Sequence, residues 1–234
     1  MGKNSQDTIM ETQLILENDT FVGLLEMLSE TEKALLRENA TELVLEKNEK
    51  IFLSGQHANH VYVIKKGRVK ITTIGDDEKE VLKSLIHKGE LVGEDALFGS
   101  RERQDSASAM DEGVIVYQIP SDQMRVIMKS NPEFSFKITA QIAQKLRSAE
   151  RRLESLTFQN SRTRIIEFLK ETAKKQGKKI GYETLLRPFL THQDIGNLTT
   201  TSRQTVSSVL NELKGSNKIY YDRHRLLIRD LSVL

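Results

Sequence analysis

The chain of 234 residues contains no cysteine, which excludes disulfide scaffolds, thiolate zinc sites, Cys-ligated iron–sulfur clusters and cysteine nucleophiles. Its net charge of +2 hides an uneven distribution, because residues 1–150 hold 19 basic and 25 acidic side chains whereas residues 151–234 hold 16 and 8. No apolar run approaches the roughly 18 residues of a membrane span, and the polar N-terminus lacks a secretory signal. These features predict a cytoplasmic protein whose C-terminal part suits a polyanion.

The N-terminal region is expected to consist of a tail over residues 1–18 and then helical segments. Residues 19–40 place apolar side chains at helical spacing. Ser29 and Glu32 have the spacing of a capping box, in which each side chain bonds the backbone of the other residue at the start of a helix. The pattern therefore predicts a helix that begins just after Ser29.

Short strands are predicted between Thr41 and Pro120. Apolar or alternating runs recur there, and glycines separate them at almost every strand end. Seven or eight strands in such a short stretch indicate two antiparallel sheets that enclose a small interior. We expect residues 19–130 to form a β-roll, or jelly roll.

A long central helix is predicted over residues 131–159, a stretch without glycine and with its one proline, Pro132, at the start. Its apolar residues follow at steps of four and three, close to a heptad seam: Ile138, Ile142, Leu146, Ala149, Leu153 and Leu156. This stripe could pack on the β-roll of its own chain. A narrow seam on a helix between two domains more often pairs with a copy of itself, so we favour a homodimer through residues 134–158.

Residues 160–234 are predicted to form a winged helix-turn-helix. Thr191 caps one short helix, a polar break follows, and Ser202 caps a second helix that Gly215 closes. Two short helices separated in this way form the unit whose second helix lies in the DNA major groove. The basic segment KIYYDRHRLLIRD that follows predicts a β-hairpin wing.

The outward face of the second helix carries the candidate DNA contacts. Arg203 can bond guanine with two donors and Gln204 can bond adenine, whereas Ser202 and Thr205 suit phosphates near the helix N-terminus. A capped amphipathic helix pair could also be no more than a small core, but the basic excess favours DNA. The predicted contact residues are Ser202, Arg203, Gln204, Thr205, Ser207 and Ser208.

The chain resembles the Crp/Fnr family of bacterial transcription regulators. Four segments carry the resemblance in chain order: KKGRVKI, GELVGEDALFG, NPEF with the long helix, and LTHQDIGNLTTTSRQTVSSVLNEL. The resemblance implies an α+β chain with a β-roll effector domain, a dimerising helix and a winged helix-turn-helix. It also implies a homodimer that binds a palindromic operator in double-stranded DNA and contacts RNA polymerase.

The effector position departs from the cyclic-AMP-responsive members of that family. In those members the segment resembling Gly93-Glu94 is followed ten residues later by an Arg-Ser pair that holds the cyclic phosphate, and the same spacing here gives Gln104-Asp105. A one-residue shift brings Ser106 into the serine position but places Asp105 where arginine belongs. A carboxylate in place of the bidentate cation argues against cyclic AMP bound in the known mode.

Further features of the sequence bear on the effector. The positions of a Thr-Ser pair that contacts adenine in those members are Ala149-Glu150 here. Two loop arginines, Arg101 and Arg103, could in principle turn towards the ligand, although loop arginines are usually solvated. The effector is therefore unidentified, and its candidate binding residues are Val92, Gly93, Glu94, Gln104, Asp105 and Ser106.

The sequence carries few signals for haem binding or for catalysis. Haem would need a histidine such as His57, His60 or His87, but histidines on turns are usually solvated, which argues against haem. No nucleophile–base pair, phosphate loop or metal spacing indicates an enzyme. Two alternatives stay open: a ligand-binding regulatory module that acts through protein contacts, and a regulator with an atypical cyclic nucleotide pocket.

Two residues depart from the family pattern at the DNA end. Thr200 stands where the family usually has glycine, which implies a reshaped turn or local strain. Ser208 stands where many members have an arginine that contacts guanine, and serine lacks that reach. The resemblance therefore implies an operator different from the best-known consensus, with Arg203 and Gln204 as its main discriminators.

Overall fold

A computed structural model describes residues 21–75, 80–232 and 234. Contacts divide the chain into two compact units, one with residues up to Glu80 and Ser84–Gln144, the other with Val81–Lys83 and Lys145–Leu234. Each unit has its own set of buried apolar side chains. The tail predicted over residues 1–18 lies outside the described residues.

The first unit opens with two short helical segments. A single 3₁₀ turn spans Gly23–Met27, and helix α1 spans Glu30–Asn39. The predicted capping box is confirmed, since the Ser29 hydroxyl accepts from the Glu32 amide and the Glu32 carboxylate accepts the Ser29 amide at 2.8 Å. Gly23 has φ +60° and lies against Gly89, where a Cβ would come within 2.3 Å of backbone, so a residue with a side chain does not fit there.

Eight strands form the β-roll: β1 (Thr41–Leu45), β2 (Lys50–Phe52), β3 (His60–Lys66), β4 (Arg68–Ile74), β5 (Glu80–His87), β6 (Leu91–Val92), β7 (Ser106–Ala109) and β8 (Val114–Pro120). They make two four-stranded sheets in the orders β1-β8-β3-β6 and β2-β7-β4-β5. The predicted β-roll is therefore confirmed. Its least evident strand is β7, whose sequence SASA is buried at every position and shows no alternation.

Two clusters of apolar side chains stabilise this unit. One lies between the sheets and includes Phe52, Tyr62 and Ile64. The other packs the N-terminal segments against two helices, α2 (Ser121–Ser130) and α3 (Pro132–Phe158). Phe134 and Ile138 at the start of α3 are fully buried in this cluster. Packing on the protein's own β-roll therefore accounts for the first turns of the predicted seam, and only its later residues are left exposed.

The second unit holds the winged helix-turn-helix. Its elements are α4 (Ser161–Gln176), β9 (Lys178–Ile180), β10 (Glu183–Leu186), α5 (His192–Thr199), α6 (Arg203–Gly215), β11 (Ile219–Tyr221) and β12 (Leu226–Ile228). The predicted wing is confirmed as the antiparallel pair β11–β12. Strands β9 and β10 add to the wing, because β10 pairs with β12 and β9 pairs with β10, which extends the wing into a four-stranded sheet.

Candidate DNA-binding surface and effector site

The recognition helix α6 is held on an apolar core, which leaves its polar face outward. Thr191 caps α5 in a capping box with Asp194, and Ser202 caps α6 by accepting the Thr205 amide at 3.0 Å. The core beneath these helices is formed by buried side chains from five elements, α4, α5, α6, β11 and β12: Ile165, Ile166, Leu169, Ile195, Val206, Val209, Leu210, Leu213, Ile219 and Ile228. The inward and outward faces are those expected from the helical period.

The predicted DNA-contact residues lie together at the N-terminal end of α6. Arg203, Gln204 and Ser208 are exposed. Ser202 and Thr205 place their hydroxyl oxygens 2.8 Å apart beside the first backbone amides of the helix. The positive end of a helix dipole and its free amides favour a phosphate at this position. The geometry is therefore suited to one phosphate contact and to side chains that extend from it toward base edges.

Ser207 differs from the other predicted contact residues, because it is engaged within the protein. Its hydroxyl donates to the Arg203 carbonyl oxygen at 3.0 Å and lies 2.7 Å from Nδ1 of His192. The His192 ring also packs edge-on against Tyr221 at 5.6 Å. His192 therefore joins this surface although the sequence pattern did not indicate it, since it is 15 residues from Ser207 and on another helix.

The environment of His192 favours its neutral form. Burial lowers the pKa of His192, and the nearby positive charge of Arg203 lowers it further. Asp194, the acidic residue in the first turn of the same helix, is bonded to the Thr191 cap. His192 thus supports Ser207 as a neutral hydrogen-bonding partner.

The wing packs against the last turns of α6. The Tyr221 hydroxyl donates to Asn211 Oδ1 at 2.8 Å. The Lys214 ammonium lies over the rings of Tyr220 and Tyr221, 5.4 and 5.2 Å from their centres, within the range of a cation–π contact. These contacts set the position of the wing relative to the recognition helix.

The turn between α5 and α6 is strained rather than reshaped. Thr200 has φ +53° and ψ +52°, the left-handed conformation that glycine adopts without cost. Threonine at this position was expected to cause either a reshaped turn or local strain, and the structure shows local strain. β-Branched side chains are rarely found in this region, so neighbouring contacts must hold the turn.

Arg103 is the buried cation of the β-roll, and the expectation that it is solvated is wrong. Only 2% of this residue is exposed, and its guanidinium stacks 4.3 Å from the centre of the Phe52 ring. Nη1 donates to the Gly93 carbonyl oxygen at 3.0 Å and to Asp95 Oδ1 at 2.6 Å, and Nη2 donates to the His60 carbonyl oxygen. The other loop arginine, Arg101, is exposed, as expected.

The ten-residue spacing counted from Glu94 leads to Gln104, one position after Arg103, so the sequence comparison did not find this cation. A Cβ on Gly93, whose φ is +77°, would come within 2.7 Å of Arg103 Nη1, so glycine is required beside the arginine. A positive charge therefore does lie beside Gly93, contrary to the prediction that it is lost. Its two Nη atoms are engaged by the Asp95 carboxylate and by two carbonyl oxygens, whereas its buried Nε has no hydrogen-bond partner among the described residues.

The structure brings only part of the predicted effector set together. Val92 and Gly93 are buried, the latter against Arg103, and Glu94 and Asp105 are half-buried. Gln104 is exposed, and the Ser106 hydroxyl accepts the Ser54 amide at 3.0 Å. These two positions therefore do not replace an Arg-Ser pair, and the fixed offset that selected them does not hold in three dimensions.

The histidines of the β-roll do not form a metal cluster in the part of the chain that the structure describes. Nδ1 of His60 lies 2.8 Å from Asn59 Oδ1. Burial lowers the pKa of His60, and the positive charge of Arg103 lowers it further. His60 contributes to the effector region mainly through its carbonyl oxygen, which Arg103 binds.

Two family models match the chain, one in its N-terminal part and one in its C-terminal part. The cyclic nucleotide-binding domain matches residues 42–131, and the Crp-like helix-turn-helix domain matches residues 163–234. The chain belongs to the Crp/Fnr family. This membership makes it a DNA-binding transcription regulator and not an enzyme, and it confirms the α+β class expected from the resemblance.

Curated Crp/Fnr relatives are similar over most of their length. The cAMP-activated global transcriptional regulator CRP of Haemophilus influenzae is 26% identical over 167 residues, 71% of this chain and 74% of the relative. The CRP-like cAMP-activated regulator of Mycobacterium tuberculosis is 27% identical over 180 residues, 77% and 80% of the two chains. Both levels of identity are low enough for binding residues to differ.

Solved Crp/Fnr structures share the fold. A mutant of CooA from Carboxydothermus hydrogenoformans superposes with a TM-score of 0.75 at 24% identity, over 92% of this chain and 94% of that one. The c-di-GMP responsive regulator CLP of Xanthomonas campestris gives 0.70 at 20% identity, over 86% and 99%. No helix among the described residues is long and apolar enough to cross a bilayer.

Proposed function

We propose that this Crp/Fnr regulator binds a palindromic operator as a homodimer formed through α3. The observation that carries the proposal is the apolar stripe left on the second half of that helix. Leu146, Leu153 and Leu156 are 60%, 66% and 40% exposed. Leu153 follows Leu146 by seven residues and Leu156 follows by three more, the spacing of a coiled-coil seam.

Burial of this stripe against a second copy is favourable on simple area grounds. Transfer of a leucine side chain from water to a packed interface contributes about 1.5–3 kcal/mol. Phe134 and Ile138 are already buried in the first unit, so the pairing surface starts beyond them. The proposed dimer segment is therefore the later part of residues 134–158, from Leu146 onward.

A two-fold dimer of recognition helices accounts for a palindromic site. Each α6 helix would contact one half-site, and half-sites about one helical turn apart match the symmetry of the protein. Arg203 and Gln204 are the exposed side chains best able to distinguish base pairs. Ser208 cannot replace an arginine there, which supports an operator that differs from the best-known consensus.

We propose that the effector does not bind in the way described above for cyclic AMP in the cyclic-AMP-responsive members of the family. Arg103 is paired with Asp95, and Gln104 is exposed, so an incoming cyclic phosphate would have to displace a carboxylate from a buried cation. Contact of the DNA-bound dimer with RNA polymerase follows from the family and stays a prediction.

Operator selection tests the proposal. Random duplex DNA incubated with the protein should enrich two inverted half-sites, and Arg203→Ala should relax the preference at one symmetric position and weaken binding by about 1–3 kcal/mol. Arg162→Ala is the matched control, because Arg162 pairs with the exposed Glu212 and should leave the selected sequence unchanged. Enrichment of no palindrome, or an identical motif with Arg203→Ala, would contradict the assignment.

A further inference from the structure

Arg164, near the start of α4, joins separate parts of the DNA-binding unit. Its Nη1 donates to the Gln159 carbonyl oxygen at 2.7 Å, directly after α3 ends. Its Nε and Nη2 donate to the carbonyl oxygens of Thr199 and Thr200 at 3.0 and 3.1 Å. A longer contact of 3.4 Å reaches the Ser161 hydroxyl. One side chain thus bonds the backbone at the end of the long helix and the backbone of the helix-turn-helix turn.

The acceptors in the turn are the carbonyl groups at the C-terminal end of α5. Such groups lack partners within their helix and carry the negative end of the helix dipole, so cations beside them are favourable. Arg152 of α3 adds a second cation, which donates to the Asn197 carbonyl oxygen at 2.7 Å. Two guanidinium groups therefore hold the end of α5 where its backbone turns toward α6.

The turn itself requires such support. Thr200 occupies a left-handed conformation that is costly for a β-branched residue, and α6 begins only three residues later at Arg203. The Thr201 amide donates to the Gly196 carbonyl oxygen at 2.8 Å, and a Cβ on Gly196 would come within 2.8 Å of the Thr201 oxygen. The direction of α6 relative to α5 is therefore set by a tightly packed turn.

We propose that Arg164 is a positioning residue for DNA recognition, which holds the strained Thr200 turn so that α6 is presented at the angle that the operator requires. It acts through the backbone of Thr199 and Thr200 and not through contact with DNA. Because it also bonds Gln159, a movement at the end of α3 would reach the recognition helix through the same side chain. This inference rests on the DNA-binding function of α6.

The test compares operator affinity and its salt dependence in the full-length protein. Arg164→Ala is expected to lower affinity for a selected duplex about tenfold, at a temperature where circular dichroism shows every variant folded. The slope of log affinity against log salt should stay unchanged, because no phosphate contact is lost. Thr200→Gly in the same background should recover at least half of the lost logarithmic affinity, since glycine adopts the turn without the clamp.

Two further variants define the controls. Arg164→Lys keeps the charge, but one ammonium cannot span the same three carbonyl oxygens, so an intermediate affinity is expected. It replaces the alanine variant in every comparison if that variant does not fold. Arg162→Ala removes an arginine of the same helix that pairs with an exposed carboxylate of α6, and it should bind like the wild type.

The outcomes separate the possibilities. Affinity that is unchanged in folded Arg164→Ala overturns the inference, and so does a loss that Thr200→Gly fails to reduce. A salt slope lowered by about one unit would assign Arg164 to a phosphate contact and would overturn its positioning role. If the wild type bound no selected duplex, the proposed operator recognition would be wrong, and this inference, which rests on it, would fail as well.

Discussion

The β-roll of this protein buries the positive charge of Arg103. Arg103 follows a loop, yet it is enclosed by Phe52, Gly93 and the Asp95 carboxylate. Burial of a charge is costly unless it is paired, and the partners of the two Nη atoms come from the turn after β6 and from the start of β3. Burial of Arg103 therefore depends on the packed β-roll and not on its neighbours in sequence.

Loss of the Arg103 side chain is expected to destabilise the β-roll strongly. Arg103→Ala leaves the Asp95 carboxylate and two carbonyl oxygens without their donor, which should lower the free energy of unfolding by about 3 kcal/mol. Arg101→Ala is the control, because the exposed Arg101 side chain should contribute less than about 0.5 kcal/mol. Urea denaturation followed by circular dichroism measures both, and equal midpoints for the two variants would contradict the structural role of Arg103.

His192 is expected to make stability depend on pH. Its pKa is lowered in the folded protein, so the unfolded chain binds the proton more readily once the pH falls below the ordinary value of 6.5. Stability should therefore decrease as the pH falls from 7 toward 5, values chosen to bracket that ordinary value. Thermal melts of His192→Gln should show a weaker dependence, although not a flat one, because burial lowers the pKa of His60 as well.

The exposed wing histidine provides the matched control for that measurement. His224 lies in the same unit and its side chain is exposed, so His224→Gln changes a histidine of that unit without disturbing a buried side chain. A wild-type dependence retained in His192→Gln would show that burial and the charge of Arg203 do not hold the ring neutral.

At the scale of elements, helices with caps were predictable and elements without a local signal were not. The capping residues Ser29, Thr191 and Ser202 each mark a helix start that the structure confirms. By contrast, β7 has four small buried residues with no alternation, and β9 has three exposed ones. Both strands exist because a partner strand pairs with them: β7 pairs with the distant β2 and β4, and β9 pairs with the neighbouring β10.

Relief of strain in the turn between α5 and α6 is expected to stabilise the DNA-binding unit. Thr200→Gly removes a β-branched side chain from a left-handed conformation and should raise the free energy of unfolding by about 1 kcal/mol. Thr172→Gly, the same change inside α4, should lower it by a similar amount because glycine is a poor helix former. Calorimetry of both variants checks the signs, and a loss of stability with Thr200→Gly would contradict the strain.

At the scale of the whole molecule, the long helix divides its apolar stripe between two roles. The start of α3 completes the core of the first unit through Phe134 and Ile138, whereas Leu146 and Leu153 remain exposed. A monomer would leave these leucines in water, although a solvent-facing side of a helix is ordinarily polar. The stripe is the reason to expect that the functional molecule contains two copies of the chain.

Charges placed in this stripe should separate the copies. The double variant Leu146→Glu and Leu153→Glu removes two apolar contacts per chain and brings like charges together, which should weaken dimerisation by more than about 100-fold. Sedimentation equilibrium should then give a mass of 26.7 kDa for the variant and twice that mass for the wild type. Ala140→Glu, an exposed change off the seam, should leave the dimer intact; a monomeric wild type at micromolar concentration would contradict the proposal.

The sequence by itself determined the class of the protein: strand spacing, helix caps, the basic C-terminal half and four segments in order led to a Crp/Fnr-type regulator with Arg203 and Gln204 on an exposed helix face. These features are local or periodic, so they can be recognised in the sequence without the tertiary structure. Only the tertiary structure decided that Arg103 is buried, that Ser207 bonds His192 and that Arg164 clamps the Thr200 turn. Each of these depends on which distant segments come together, because a hydrogen bond or an ion pair is defined by distance in space and not by separation along the chain.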